Sequence, residues 1–191
     1  MRIIGGDFRG LKLAEVGAGD LGAHLRPTTD RVRESIFNLL VNGGHGNPIP
    51  GARVLDLFAG TGALGLEALS RGAARVAFVD DGTAARALLR ANIEKMRAMG
   101  VTDVWRRDAR RLGPCRGAGY DLIFLDPPYG MGLGEAAMAS ALDGGWIAPG
   151  AMVVWEDSVA PIVPAPLVQI DQRAYGDTVI TLARMPGGGA D

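Results

Sequence analysis

The feature that most constrains the fold is an alternation of short apolar runs with helical segments that begins at Arg53. The run VLDLF precedes a helix that reaches Arg71, and RVAFVD precedes a second helix from about Thr83 to Met99; VTDVW, YDLIFLD and AMVVWE follow. Short apolar strands that alternate with helices predict an α/β fold with a parallel sheet covered on both faces. The segment LVQIDQRAYGDTVITLARM instead predicts two strands joined at Tyr175-Gly176-Asp177, and so an antiparallel C-terminal hairpin at the sheet edge.

The stretch before Arg53 has a different pattern. MRIIGGDFRGLKL alternates apolar with polar or glycine positions, which predicts a β-hairpin, and a helix is expected from Thr28-Thr29-Asp30 to Asn42. The turn-rich segment NGGHGNPIPG then suggests a boundary. We therefore expect a hairpin and helix appendage over residues 1–50, the α/β domain over 51–185 and a disordered tail over 186–191.

Composition excludes several classes of protein. One cysteine and two histidines allow neither an internal disulfide nor a zinc cluster, so no metal site is predicted and a reducing cytoplasm is expected. No run of about 18 to 20 apolar residues suggests a membrane span. Lys and Arg number 20 against 21 Asp and Glu, so any contact with nucleic acid must come from local clusters. We expect a monomer.

A glycine-rich loop follows the first strand of the α/β region. Residues 60–65, GTGALG, match the G-x-G-x-x-G pattern of dinucleotide-binding proteins, and Asp80 lies 20 residues after Gly60. By itself this pattern predicts a nicotinamide cofactor. Asp56, however, ends the first strand just before the loop, where it would repel a pyrophosphate and attract the ammonium and sulfonium groups of S-adenosylmethionine. The charge therefore favours S-adenosylmethionine.

Two more acids occupy the ends of later strands. Asp80 suits ribose hydroxyls, and Asp108, in RRDAR, is placed to accept from an adenine amino group, although a strand-end aspartate equally often caps a helix. The carboxyl ends of parallel strands form one crevice, so these acids should line it together. The candidate cofactor-binding residues are Asp56, Phe58, Ala59, Gly60, Thr61, Gly62, Asp80, Asp108 and Ala109.

The fourth strand ends in the tetrapeptide Asp126-Pro127-Pro128-Tyr129. Two prolines restrict the backbone and make a rigid wall. An exocyclic base amine is weakly nucleophilic because its lone pair is delocalised into the ring. The Asp126 carboxylate and Pro127 carbonyl could accept its hydrogens while the Tyr129 ring stacks on the base. Methylation at a ring carbon would need a cysteine nucleophile, but Cys115 precedes this strand, so that chemistry is not favoured.

These motifs together resemble a known family. RIIGGDFRG, RPTTDRVRESIFNLL, VLDLFAGTGALGLEALSRGA, DPPY and the late YGDT are similar, across nearly the whole chain, to the bacterial 16S ribosomal RNA guanine-N2 methyltransferases. The resemblance implies a class I methyltransferase (Rossmann-like) fold, doubly wound, with a seven-stranded sheet, S-adenosylmethionine as donor and N2 of one small-subunit guanine as acceptor. It makes Asp126 to Tyr129 the catalytic motif and Asp56, Gly60, Gly62 and Asp80 cofactor contacts. The expected partner is small-subunit ribosomal RNA within an assembled or partly assembled particle.

Cations near the N-terminus are the candidate RNA contacts. A cation cluster on a hairpin can follow a phosphate backbone without a basic protein overall, although nearby acids such as Asp7 and Glu34 also fit an ordinary mixed-charge surface. Four arginines of the RRDARR segment bracket Asp108 and equally fit phosphate contacts or a solvated loop. The candidate RNA contacts near the N-terminus are Arg2, Arg9, Lys12, Arg26, Arg31 and Arg33.

Three alternatives stay open at this point. A DNA or RNA adenine-N6 amino-methylase would share the glycine loop and DPPY. A catalytically weak ribosome assembly factor could keep the fold, although the intact tetrapeptide argues against it. A nicotinamide oxidoreductase would share the glycine loop.

Overall fold

The computed structural model describes residues 1–14, 29–129 and 131–188. Its strands are β1 (Arg53–Leu57), β2 (Arg75–Val79), β3 (Thr102–Trp105), β4 (Tyr120–Leu125), β5 (Ile147–Asp157), β6 (Val168–Tyr175) and β7 (Thr178–Arg184). Its α-helices are α1 (Asp30–Asn42), α2 (Ala63–Ser70), α3 (Thr83–Lys95) and α4 (Leu133–Asp143). Of the predicted tail, residues 189–191 lie outside the described residues.

All seven strands form one sheet in the order β3-β2-β1-β4-β5-β7-β6. Strands β1 to β5 pair in parallel, and β7 runs antiparallel to both β5 and β6. The C-terminal hairpin closes where Tyr175 pairs with Thr178, with Gly176 at φ 64° in the turn. The predicted α/β fold with an antiparallel C-terminal hairpin is therefore confirmed.

Local sequence explains where the helices begin and end. Thr29 caps α1, since its hydroxyl accepts from the Val32 amide at 3.3 Å. The second long helix was expected to reach Met99 but ends at Lys95. Arg97 adopts φ 53° there, and the Ala98 amide bonds the Ile93 carbonyl at 3.0 Å, which closes the helix with a Schellman motif.

The N-terminal segment is hairpin-like and is docked along α2. Arg2 and Lys12 form an antiparallel bridge. The Ile4 and Gly5 amides each donate to the Glu67 carboxylate at 2.8 Å. Ile3 and Leu13 are 1% and 5% exposed and belong to the same hydrophobic core as α1 and one face of the sheet. Residues 1–14 and α1 therefore share their core with the α/β sheet.

Two features are absent from residues 1–14, 29–129 and 131–188. No helix there is long and apolar enough to cross a membrane. The same residues contain no cluster of three or more histidine, cysteine or acidic side chains arranged to hold a metal ion.

Candidate active site

A crevice of about 200 Å³ opens at the carboxyl edge of the sheet, between the loops that follow β1, β2, β3 and β4. One part of its lining is apolar and another carries charged side chains. The lining includes Phe58, Val79, Asp80, Asp81, Arg107, Asp108, Ala109, Arg110, Pro128, Met131 and Leu133. The structure thus brings Phe58, Asp80, Asp108, Ala109 and Pro128 of the candidate site residues together in one cavity.

The glycine loop between β1 and α2 adopts a conformation that most side chains would resist. Gly60 and Gly62 have φ of 55° and 82°, and Phe58 is also at positive φ, 59°, which is uncommon for an aromatic residue. A side chain at Gly65 would place its Cβ 2.4 Å from the Phe78 ring. The glycines therefore permit a sharp turn and close packing of α2 on β2.

Asp56 lies beneath this loop. Its Oδ2 accepts from the Gly65 amide at 2.9 Å, and the residue is 2% exposed. Burial raises the pKa of Asp56 to about 8; the bond from Gly65 opposes the rise, and the nearby Asp126 and Asp80 carboxylates add to it. In this structure Asp56 holds the start of α2, and its contact with the cofactor stays a prediction.

Asp80 joins the two loops of the cofactor half. Its Oδ2 accepts from the Gly60 amide at 2.8 Å and its Oδ1 from the Gly82 amide at 2.7 Å. Burial raises the pKa of Asp80, although both amides act in the opposite direction. Asp80 also lines the crevice, and its contact with ribose hydroxyls stays a prediction.

Asp108 caps the short 3-10 turn Ala109–Arg111 and pairs with an arginine. Its carboxylate accepts from the Arg110 amide at 2.9 Å and lies 2.8 Å from Arg110 Nη2. The side-chain bond from Arg110 lowers the pKa of Asp108. The capping role that the sequence left open is present, and the carboxylate also lines the crevice.

The tetrapeptide follows β4 beside the same edge. Pro127 is buried, Pro128 is exposed toward the crevice, and Asp126 and Tyr129 are half-buried. The charge of Asp126 raises the pKa of Asp56, so the catalytic candidate and the cofactor loop are close enough to interact electrostatically. The two candidate halves of the site therefore meet at one edge.

Two residues at this edge were missed by sequence reasoning. The Tyr129 hydroxyl donates to Glu156 Oε1 at 3.2 Å and lies 3.2 Å from Thr178 Oγ1. Glu156 is the last residue of the run AMVVWE, which predicted a strand but suggested no chemical role. Thr178 belongs to the YGDT segment, which contributed to the family resemblance but suggested no chemical role.

The candidate RNA contacts do not all reach the surface. Arg2, Arg9, Lys12 and Arg31 are exposed, and Arg26 lies outside the described residues. Arg33 must be corrected, because its side chain is 0% exposed. It bonds Asp30 at 2.9 Å and faces the Glu67 carboxylate at 3.8 Å, so it stabilises the N-terminal segment and cannot contact a phosphate here.

A larger cavity, of about 340 Å³, lies at the opposite edge of the sheet. It is lined by residues such as His45, Asp121, Pro149 and Arg184, and by none of the candidate catalytic or cofactor residues. The carboxyl ends of parallel strands are where open α/β sheets bind ligands, so the smaller crevice is the candidate active site.

The crevice residues fit S-adenosylmethionine. Phe58, Pro128 and Leu133 offer apolar surface to an adenine ring, while the carboxylates of Asp80 and Asp108 offer acceptors for hydroxyl and amino groups. A side chain at Gly62 would place its Cβ 2.3 Å from Leu89, so a glycine is needed where the loop packs against α3. The crevice lining carries three aspartates, Asp80, Asp81 and Asp108, against two arginines, Arg107 and Arg110, and this excess of acidic groups suits a sulfonium better than a pyrophosphate.

The parallel sheet with its antiparallel strand β7, the glycine loop and the DPPY edge define a class I, S-adenosylmethionine-dependent methyltransferase. The chain belongs to the family described as conserved hypothetical protein 95, whose model matches residues 1–184.

The chain is also similar to individual methyltransferases in sequence and in structure. The chain is 40% identical over 168 residues to ribosomal RNA small subunit methyltransferase D of Escherichia coli strain K12, covering 86% of this chain and 80% of that protein. The solved structure of yhhF from Escherichia coli has a TM-score of 0.81 at 36% identity, covering 98% of this chain and 99% of the other. An O-methyltransferase family protein from Burkholderia thailandensis has a TM-score of 0.61 at 14% identity and covers 83% of this chain and 57% of its own; this likeness concerns the fold alone.

Proposed function

We propose that this protein transfers the methyl group of S-adenosylmethionine to the exocyclic N2 amine of a guanine in bacterial small-subunit ribosomal RNA. The observation that carries the proposal is the position of Asp126-Pro127-Pro128-Tyr129, which follows β4 directly beside the cofactor crevice. The similarity to ribosomal RNA small subunit methyltransferase D supports the choice of substrate.

Each residue of the tetrapeptide has its own role in the proposed methyl transfer. S-adenosylmethionine, when bound, supplies an electrophilic methyl group on a sulfonium. The Asp126 carboxylate and the Pro127 carbonyl accept hydrogen bonds from the amine, which localises its lone pair, and the Tyr129 ring holds the base face. Pro127 and Pro128 restrict the backbone, so the acceptors keep their places without reorganisation during the reaction.

Two exposed groups of cations support a nucleic-acid substrate. Arg2, Arg9 and Lys12 belong to the N-terminal segment, and Arg31 lies in the first turn of α1. In the segment after β3, Arg106, Arg107, Arg110 and Arg111 are exposed, and Arg107 and Arg110 line the crevice. Because the net charge is −1, binding should depend on these groups and on a structured particle more than on overall attraction. We propose that the protein acts on the particle as a monomer.

Phosphate contacts have a measurable signature. Replacing both Arg9 and Lys12 with Ala should weaken binding to small-subunit particles and make its salt dependence shallower by about one to two units of log–log slope, because fewer counterions are released. Binding of S-adenosylmethionine should not change. An unaltered salt slope would remove these two residues from the RNA surface.

The direct test of the function is the chemical identity of the product. The protein is incubated with S-adenosylmethionine labelled in the methyl group and with small-subunit particles that lack the modification, and the RNA is digested to nucleosides. We expect the label in N2-methylguanosine. Label in N6-methyladenosine would instead establish an adenine amino-methylase, and particle binding without transfer would establish an assembly factor; either result overturns the proposal.

A further inference from the structure

Three side chains from distant parts of the chain meet behind the tetrapeptide. The Tyr129 hydroxyl donates to Glu156 Oε1 and is within hydrogen-bond distance of Thr178 Oγ1, with both oxygen–oxygen distances at 3.2 Å. Tyr129 follows β4, Glu156 lies near the end of β5, and Thr178 begins β7. These are neighbouring strands of the sheet, so the cluster connects three of them at the carboxyl edge.

The two partners of Tyr129 are shielded from water. Glu156 is 4% exposed and Thr178 is 9% exposed. Hydrogen bonds in such surroundings are stronger than those at the surface, and the packed side chains have little rotamer freedom. Burial raises the pKa of Tyr129 to about 12, so the phenol stays a neutral donor at physiological pH. Its hydroxyl is therefore suited to anchoring the ring and not to proton transfer.

The ring of Tyr129 is restricted at both of its ends. At the backbone end it follows two consecutive prolines, whose φ angles are limited by their rings. At the hydroxyl end it is held by Glu156 and Thr178. A ring that is already oriented before the base binds loses less conformational entropy on binding and favours a reactive geometry.

We propose that Glu156 and Thr178 are positioning residues, which hold the Tyr129 ring in the orientation that stacks on the acceptor base. This inference rests on the proposed function, in which Tyr129 contacts the base. It also gives the YGDT segment a role. The tight turn at Gly176 starts β7 at the residue whose hydroxyl reaches the phenol, so the C-terminal hairpin supports the tetrapeptide.

The test uses side chains of matched shape. Thr178→Val removes the hydroxyl and keeps the shape, Thr178→Ser keeps the hydroxyl, and Tyr129→Phe removes the phenol oxygen. In single-turnover transfer to undermodified small-subunit particles, we expect Thr178→Val and Tyr129→Phe each to slow methyl transfer by about tenfold, the effect of losing one buried hydrogen bond. Thr178→Ser should restore most of the rate, and affinity for S-adenosylmethionine should change by less than about twofold in all three.

Two comparisons separate positioning from a general loss of structure. Thr181 is also buried on β7, but its hydroxyl bonds Gln172 at 2.9 Å, so Thr181→Val serves as the control and should leave the rate unchanged. If Thr178 acts through the phenol, adding Thr178→Val to Tyr129→Phe should slow transfer no further. Independent, multiplying effects of the two changes, or a wild-type rate in Thr178→Val, would overturn the proposal.

A second measurement needs no substrate. The chain has three tyrosines, so nuclear magnetic resonance of tyrosine-labelled protein can follow each hydroxyl proton. We expect a slowly exchanging Tyr129 hydroxyl in the wild type and in Thr178→Ser, but not in Thr178→Val. Rapid exchange of the Tyr129 hydroxyl proton in the wild type would contradict its hydrogen bonding to Glu156 and Thr178, whatever the rate of methyl transfer. If the Tyr129 hydroxyl exchanges slowly but the wild type makes no N2-methylguanosine, the proposed function is wrong while the positioning of Tyr129 by Glu156 and Thr178 still holds.

Discussion

The acidic residues at the strand ends differ in pKa because their surroundings differ. Asp56 is buried under the glycine loop, and burial raises its pKa to about 8. Asp108 is paired with Arg110, and that bond lowers its pKa. All three acids of the cofactor half accept backbone amide bonds, so each also organises a loop or turn. The sequence showed these carboxylates in equivalent positions, but their ionisation depends on packing that only the fold supplies.

The raised pKa of Asp56 predicts a pH-dependent cost in stability. The unfolded carboxyl releases its proton near pH 4, whereas the folded one keeps it until about pH 8. Between these values the folded state binds the extra proton, so the contribution of Asp56 to stability is complete below pH 4 and is lost as the pH rises toward 8. Asp56→Asn removes this titration and keeps an acceptor for the Gly65 amide.

Urea unfolding measures the effect of Asp56. Relative to wild type, the free energy of unfolding of Asp56→Asn should rise between pH 5 and pH 7.5 by up to about 1.4 kcal/mol per pH unit. Taking the difference between the two proteins cancels the other titrating groups. A difference that does not change with pH would show that the Asp56 carboxyl titrates normally in the folded protein.

Among the elements, α2 connects the N-terminal segment with the glycine loop. Its Glu67 is 0% exposed and accepts from the Ile4 and Gly5 amides and from Arg71 Nε, each at 2.8 Å. The same carboxylate faces the buried Arg33. The N-terminal segment is therefore attached to the helix that begins at the cofactor loop.

Glu67→Gln should destabilise the folded protein strongly. The amide group replaces one acceptor with a donor that faces backbone amides, and Arg33 loses a buried counter-charge. Breaking a buried ion pair from one side typically costs about 3 to 5 kcal/mol. Urea unfolding should reveal this loss, while Glu94→Gln, on the exposed surface of α3, should change stability by less than about 0.5 kcal/mol. Equal stability of Glu67→Gln and wild type would contradict the attachment.

Sequence patterns predicted those elements whose signals are local. The alternation of apolar runs with helices indicated the sheet, and Tyr175-Gly176-Asp177 indicated the last hairpin. Arg33 was misjudged because a cation near a helix start looks exposed until the N-terminal segment covers it. The Tyr129–Thr178 contact could not be predicted, because it joins residues 49 positions apart through the order of the strands.

The fold brings the cofactor crevice and the catalytic tetrapeptide to the same edge of the sheet. The loops after β1, β2 and β3 form the cofactor crevice, and the tetrapeptide after β4 borders it. Parallel strand order explains this convergence, since β1 lies between β2 and β4. The C-terminal hairpin adds Thr178 from the other side. Transfer to an exocyclic amine then depends on one strand-end carboxylate, Asp126, in a site that the rest of the fold has assembled.

The most direct test is the single-turnover rate of methyl transfer by Asp126→Asn at saturating S-adenosylmethionine and undermodified small-subunit particles. Asp121→Asn, at the opposite end of β4, is the matched control and should transfer at the wild-type rate. The account predicts that Asp126→Asn is slower by about a hundredfold or more, with affinity for S-adenosylmethionine within a few fold of wild type. A transfer rate within about threefold of wild type would contradict the role of Asp126.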